Sequence, residues 1–218
     1  MSESHQTPKT RARPHGIPGN ERICTFSDGV FAIAITLLVL ELQVPDQAPA
    51  GGLIELLPGY LPKLTGHVIT FAILGIYWVA HHNMFTYVRW HDRVLLWLNI
   101  LFLLFVAAMP FLTALIARYG DDQTAVVASA GAIMLAGLSL ELMWWYATTD
   151  HRLVAPGLDP KLISLWHRRI LLAPAAYLLA IGLSFISITA TKGLFLCIAV
   201  AYIAPNPWDR YHHQQFPE

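Results

Sequence analysis

The chain has 218 residues, 56% of them hydrophobic and only 13% charged, with a mean hydropathy of +0.50. Soluble domains carry about 25% charged residues, and here the apolar surplus falls into several long runs, so the composition excludes an ordinary soluble domain and indicates a polytopic membrane protein. Formal net charge is zero, so no basic field argues for a nucleic-acid partner.

Residues 1–21 are polar and lack the apolar core of a signal peptide, so they are expected to form a disordered tail. The next stretch, RICTFSDGVFAIAITLLVLELQV from Arg22 to Val44, is the first expected span. From Gly29 to Leu40 it is apolar or small except for Thr36. A helix over these residues covers about 34 Å, enough for a hydrocarbon core of about 30 Å. Asp28 sits at its mouth. An ionisable residue in a spanning segment costs about 2.5–3.5 kcal/mol at the centre and less near the ends, so it tends to face protein or water.

Residues 45–52 read as a loop. Leu53 to Leu61, broken by Pro58 and Pro62, reads as an interfacial piece or as the lead-in to the second span. That span is expected from Pro62 to Tyr87, ending in His81-His82-Asn83. The third is expected from Val94 to Ala117, with Asn99 near its start and Pro110 in its distal half. The fourth, Thr124 to Ala147, is rich in Ala, Gly and Ser, which permits close helix packing in lipid. It contains Glu141 and ends in Trp144-Trp145-Tyr146, an interfacial aromatic cluster. Thr148 to Arg169 reads as the longest polar connection, with room for a short helix after Asp159-Pro160. The fifth span is expected from Ile170 to Ser187 and the sixth from Thr191 to Ala204, before a polar tail over 205–218. The domain reading is thus one all-α, six-span unit over 22–204 between two tails.

With six spans, eleven of the 14 Lys and Arg residues fall on the side of the termini. Only Lys63, Arg118 and Lys192 fall on the other. The positive-inside rule then predicts a multi-pass protein of the cell membrane with both termini cytoplasmic. A five-span arrangement that merges the last two helices stays open. The two cysteines, Cys24 and Cys197, do not suggest a disulfide framework.

The sequence contains no HExxH, GxSxG, Walker loop, GxGxxG or CxxC, so no enzyme is expected. The potassium-filter signature TVGYG does not occur either. On the first helix, Gly29, Ile33, Thr36, Leu37 and Leu40 share one stripe. One reading makes it the lining of a pore formed by symmetry copies. Stacked apolar rings would then gate by dewetting, and Thr36 would offer a ring of hydroxyls. The other makes it lipid-facing or packing surface. Arg22 and Asp28, together with His81, His82, Trp97 and Asn99, lie at one end of the first three spans. They read either as a polar network pinning the first helix or as interfacial residues. A metal site from His81, His82 and His91 is disfavoured, because adjacent histidines on a helix diverge by about 100°. Glu141 is expected to be satisfied by a serine or tyrosine of the bundle, the other reading being a proton or cation site.

The run RxxxFSDG from Arg22 to Gly29, leading into an apolar helix with a threonine, resembles the transmembrane protein 175 family of potassium channels in its short prokaryotic form. The resemblance is closest over Arg22 to Leu42 and continues in YWVAHHNMF, HDRVLLWLN and LFVAAMPF. It implies a homotetramer in membrane lipid, one six-helix repeat per chain, conducting potassium ions passively and needing no cofactor. It implies that the first helix lines the pore, with Ile33 as the main constriction, Leu37 and Leu40 as further rings and Thr36 as a hydroxyl layer. Phe26, Ser27 and Asp28 would hold the helix rather than touch the ion. A secondary transporter or proton-coupled carrier, with Asp28, Glu141 and the histidines as relay, is the alternative.

Overall fold

The computed structural model describes residues 16–42 and 53–203. Within them six helices follow in order: α1 (Glu21–Leu37), α2 (Leu57–Tyr87), α3 (Arg93–Tyr119), α4 (Gln123–Thr148), α5 (Pro160–Ser184) and α6 (Ile188–Ile203). Two short strands, β1 (Ile17–Pro18) and β2 (Trp90–His91), pair antiparallel. α1 to α4 are long and apolar enough to cross a membrane. α6, with 16 residues, is apolar but shorter.

Local chemistry explains the boundaries. Asp92, Asp122 and Asp159 each cap a helix by accepting from backbone amides of its first turn, which satisfies donors the helix leaves orphaned. α5 also takes Pro160 at its first position, where a missing N–H costs nothing. It therefore starts at Pro160 and runs unbroken through Arg169. This corrects the expectation of a polar connection to Arg169: the connection ends at Asp159, and Lys161, Arg168 and Arg169 lie within the first turns of α5. α2 begins at Leu57, preceded by a 3-10 turn over Leu53–Leu56, so the ambiguous segment leads into it. α2, α3 and α5 continue across Pro62, Pro110 and Pro174.

α4 is the most buried of the four long apolar helices. Its small residues permit this. A Cβ at Gly137 would sit 2.8 Å from Pro174 Cγ of α5, so glycine sets the α4–α5 approach.

One end of the bundle is clipped together. β1 reaches β2 at the α2–α3 corner, Arg89 N donates to Leu153 O at 2.9 Å, and Asn20 Nδ2 donates to Val88 O. Tyr146 donates to Asp92 Oδ2 at 2.6 Å beneath the Arg152 guanidinium. The last residues of the segment expected as a disordered tail, 16–20, are thus part of this clip. Both tails otherwise lie outside the described residues, as do residues 43–52.

Candidate functional site

α1 has two unlike faces. Ile23, Ser27, Phe31, Ala34 and Leu38 are buried against the bundle, at the three- and four-residue spacing of one helical stripe. The opposite stripe points away from the chain's own helices: Ile33 is 61% exposed, Leu37 43% and Leu40 62%. Gly29 and Thr36 are exposed on the same side. After Leu37 the backbone tightens into a 3-10 turn over Leu38–Glu41. Because residues three apart eclipse in that geometry, Leu40 comes to lie nearly above Leu37. Thr36 Oγ1 donates to the carbonyls of Ala32 and Ile33, each at 2.9 Å. Its proton is thereby turned inward along the helix, leaving oxygen lone pairs for an incoming donor or cation.

The buried face is fixed by a polar chain through three helices. Ser27 Oγ donates to Ile23 O at 2.9 Å and accepts from Asn99 Nδ2 of α3 at 3.1 Å. The Asn99 carbonyl accepts from His81 Nε2 of α2 at 2.9 Å. All three side chains are buried. His81 also stacks on Phe102 with ring centroids 5.6 Å apart, and Phe31 of α1 packs on the same Phe102 at 5.9 Å. α1 is therefore joined to α2 and α3 by one buried hydrogen-bonded triad set in an aromatic cluster.

Asp28 takes a different partner. It is exposed, and its Oδ1 accepts from Trp78 Nε1 of α2 at 2.8 Å; the Trp78 ring stacks on His82 at 5.5 Å. The structure thus brings Ser27, His81 and Asn99 into one network and places Asp28 and His82 on either side of Trp78. Phe26 and Trp97 are 59% and 60% exposed, and Arg22 is exposed too, so these three stand outside the buried triad. Trp78 was not anticipated, since a tryptophan in an apolar run reads as generic membrane surface. Glu141 was expected to meet a serine or tyrosine. Instead its Oε1 lies 2.5 Å from His167 Nδ1 of α5, which the extended start of α5 brings into reach. Among the described residues no group of three His, Cys, Asp or Glu side chains is arranged to hold a metal ion.

With this geometry in hand, a family model described as endosomal/lysosomal potassium channel TMEM175 matches residues 22–110, the part carrying α1 and the helices that hold it. A potassium channel of Streptomyces collinus is 39% identical over 185 residues, covering 83% of this chain and 90% of its own length. This chain belongs to the TMEM175 family. A second relative, a potassium channel of Chamaesiphon minutus, is 37% identical over 83% of this chain and 92% of its own. Among solved structures, a lysosomal potassium-selective channel TMEM175 homologue from Chamaesiphon minutus superposes with a TM-score of 0.76 at 33% identity, covering 84% of this chain and 96% of that one. In this TMEM175-family chain, the FSD residues are thus split between the two attachments of α1: Ser27 in the buried triad, Asp28 on Trp78.

Proposed function

We propose that this chain is a potassium channel subunit, four copies of which place α1 around a central pore. One observation carries the reading: the stripe of Ile33, Leu37 and Leu40 is turned away from the chain's own bundle while the opposite face of α1 is anchored by hydrogen bonds. Lipid contact alone would not require such anchoring. A helix whose apolar rings must meet those of other copies has to be held in one rotation, and the Ser27–Asn99–His81 triad supplies that hold.

In the assembly, Ile33, Leu37 and Leu40 form stacked apolar collars that a hydrated ion passes only after shedding water. Thr36 lies between the first two collars, its lone pairs directed outward to replace part of that lost hydration. The relatives named as potassium channels support potassium as the permeant ion. Both termini lie in the cytoplasm of a cell whose plasma membrane holds the tetramer. The unbroken courses of α2, α3 and α5 favour a channel over a carrier, since carriers typically build their sites on discontinuous helices.

The test is reconstitution into planar bilayers with potassium and sodium on opposite sides. A passive, potassium-preferring current is expected with no coupling ion. Ile33→Ser is expected to raise unitary conductance and to lower the potassium-to-sodium preference, because a small polar side chain wets the narrowest collar. Conductance and ion preference both equal to the parent would overturn the pore assignment.

A further inference from the structure

At the end of the bundle opposite the clip, α2, α3, α4 and α6 enclose a crevice of about 820 Å³, within the range of about 300–1,000 Å³ typical of ligand sites. Its rim is charged and its shaft is apolar. The rim gathers Arg118 and Tyr119 from the end of α3, Asp121 and Asp122 from the α3–α4 turn, and Lys192 from the start of α6. Two cations thus face two anions, and the rim has no net charge. Deeper in, the wall is made by Ile69, Ile73, Met109, Ile133, Phe195 and Leu196. The threonines along it, Thr65, Thr70 and Thr113, give their hydroxyl protons to the carbonyls of Leu61, Gly66 and Met109. From Tyr119 to Met109 the α3 wall is about 15 Å long at 1.5 Å per residue, half of a hydrocarbon core of about 30 Å. The rim charges are only partly used within the chain. Lys192 Nζ donates to Asp121 Oδ1 at 2.9 Å, and Asp122 Oδ1 accepts the Thr124 and Ala125 amides. Among the described residues the second oxygen of each carboxylate takes no donor, and Arg118 is exposed without an acidic partner.

We propose that this crevice binds one zwitterionic phospholipid with a primary ammonium, an acyl chain in the shaft, the phosphate on Arg118 and the ammonium on Asp121 and Asp122. Charge and length select this occupant. A planar guanidinium recognises phosphate oxygens in pairs. A primary ammonium brings three N–H donors to the open carboxylate oxygens. An anionic headgroup would meet those carboxylates with no cation to offer, and a choline headgroup would bring its charge without an N–H to donate. A soluble zwitterion would leave the apolar shaft empty. Tyr119 stands at the rim, and tyrosine belongs at the depth where headgroup meets hydrocarbon. No residue of α1 lines the crevice, so the proposal does not depend on the pore reading.

The test is native mass spectrometry of the detergent-solubilised protein titrated with dioleoyl phosphatidylethanolamine, phosphatidylcholine or phosphatidylglycerol. Retention of the ethanolamine lipid at about threefold lower concentration than either of the others is expected, the worth of an exposed ion pair. Asp121→Asn combined with Asp122→Asn should erase that preference and spare the fold, because asparagine caps a helix about as well as aspartate. Arg118→Gln should weaken retention of all three lipids about fivefold, since each carries a phosphate. A Cβ at Gly193, on the crevice lining, meets no atom within 4 Å, so Gly193→Leu should occupy the shaft and lower retention of all three. Should the double variant not fold, the parent gives the same answer: the ethanolamine lipid raises its unfolding midpoint more than the other two do. Equal retention of the three lipids by the parent overturns the proposal, as does highest retention of phosphatidylglycerol or a preference that survives both asparagine substitutions. Unchanged retention by Gly193→Leu overturns it too, and if the oligomer breaks at the same time, a second copy of the chain covers the crevice.

Discussion

The two ends of the bundle are built differently. At the clipped end, β1 meets β2, the 88–90 segment bonds Leu153, and the Ser27–Asn99–His81 triad and the Glu141–His167 pair tie helices at greater depth. At the opposite end the ties between helices include one hydroxyl pair, Thr113 to Thr70 at 2.9 Å, and one surface ion pair, Lys192 to Asp121 at 2.9 Å. α1 spans this contrast. Its first turns sit in the dense network, whereas Leu37 and Leu40 lie where the helix tightens into a 3-10 turn, beyond the triad. Beyond the triad α1 is held by packing, with Ala34 and Leu38 buried against the bundle, so its root is fixed by hydrogen bonds and its tip by apolar contact.

The contrast breaks most sharply at Asn99. Replacing it with leucine orphans the buried His81 N–H and removes the donor to Ser27 Oγ, whose own proton still bonds Ile23 O. Hydrogen bonds within membrane bundles average about 0.6 kcal/mol and reach about 1.7, and stranding buried partners adds to that. Asn99→Leu should therefore cost about 2–3 kcal/mol, read as a lower unfolding midpoint in detergent and poorer recovery of assembled protein. A midpoint equal to the parent would mean the triad does not hold α1. The next effect belongs to Glu141→Ala, which removes one α4–α5 hydrogen bond and leaves His167 without its acidic partner. About 1–2 kcal/mol is expected, with no change in ion preference, because the pair lies off the α1 stripe. At the opposite end, Thr113→Val should cost only about 0.6 kcal/mol, and a loss as large as that of Asn99→Leu would erase the distinction between the ends.

Much of this arrangement was written in hydropathy and spacing. The six helices follow the apolar runs, and the Ile33, Leu37 and Leu40 stripe is visible as a helical repeat before any coordinates. His81 and Asn99 stood out because polar residues in apolar runs need partners, and Ser27 through the resemblance carried by RxxxFSDG. Their pairing was not legible, since it depends on helix rotation, which local spacing leaves open. Trp78 was hidden for the opposite reason: its hydrogen-bonding N–H rides on a side chain that hydropathy counts as apolar. The Glu141–His167 pair was missed because Lys161, His167, Arg168 and Arg169 interrupt the apolar pattern and made the start of α5 look like a connection. Asp159-Pro160, a capping residue followed by proline at the first helical position, marked a helix start, but the continuity of that helix with the fifth span was not legible. The β1–β2 clip left no such trace, because two-residue strands have no period to read.

The smallest effect is expected at Asp121, in the turn between α3 and α4. The Lys192 ammonium, through its hydrogen bond and its charge, holds the Asp121 carboxyl below the ordinary carboxylate value. A carboxyl depressed in the folded state adds stability that is fully present above its unfolded value of about 4 and is lost as pH falls through the lower folded value. Asp121 is fully exposed, however, and water and salt screen the pair. Asp121→Asn should consequently leave the unfolding midpoint at neutral pH almost unchanged. Any difference from the parent should shrink further in high salt and vanish in strong acid, where both side chains are uncharged at this position. A marked loss at neutral pH that persists in high salt would show that the lightly tied end leans on this surface pair, and that the fold is held from both ends rather than one.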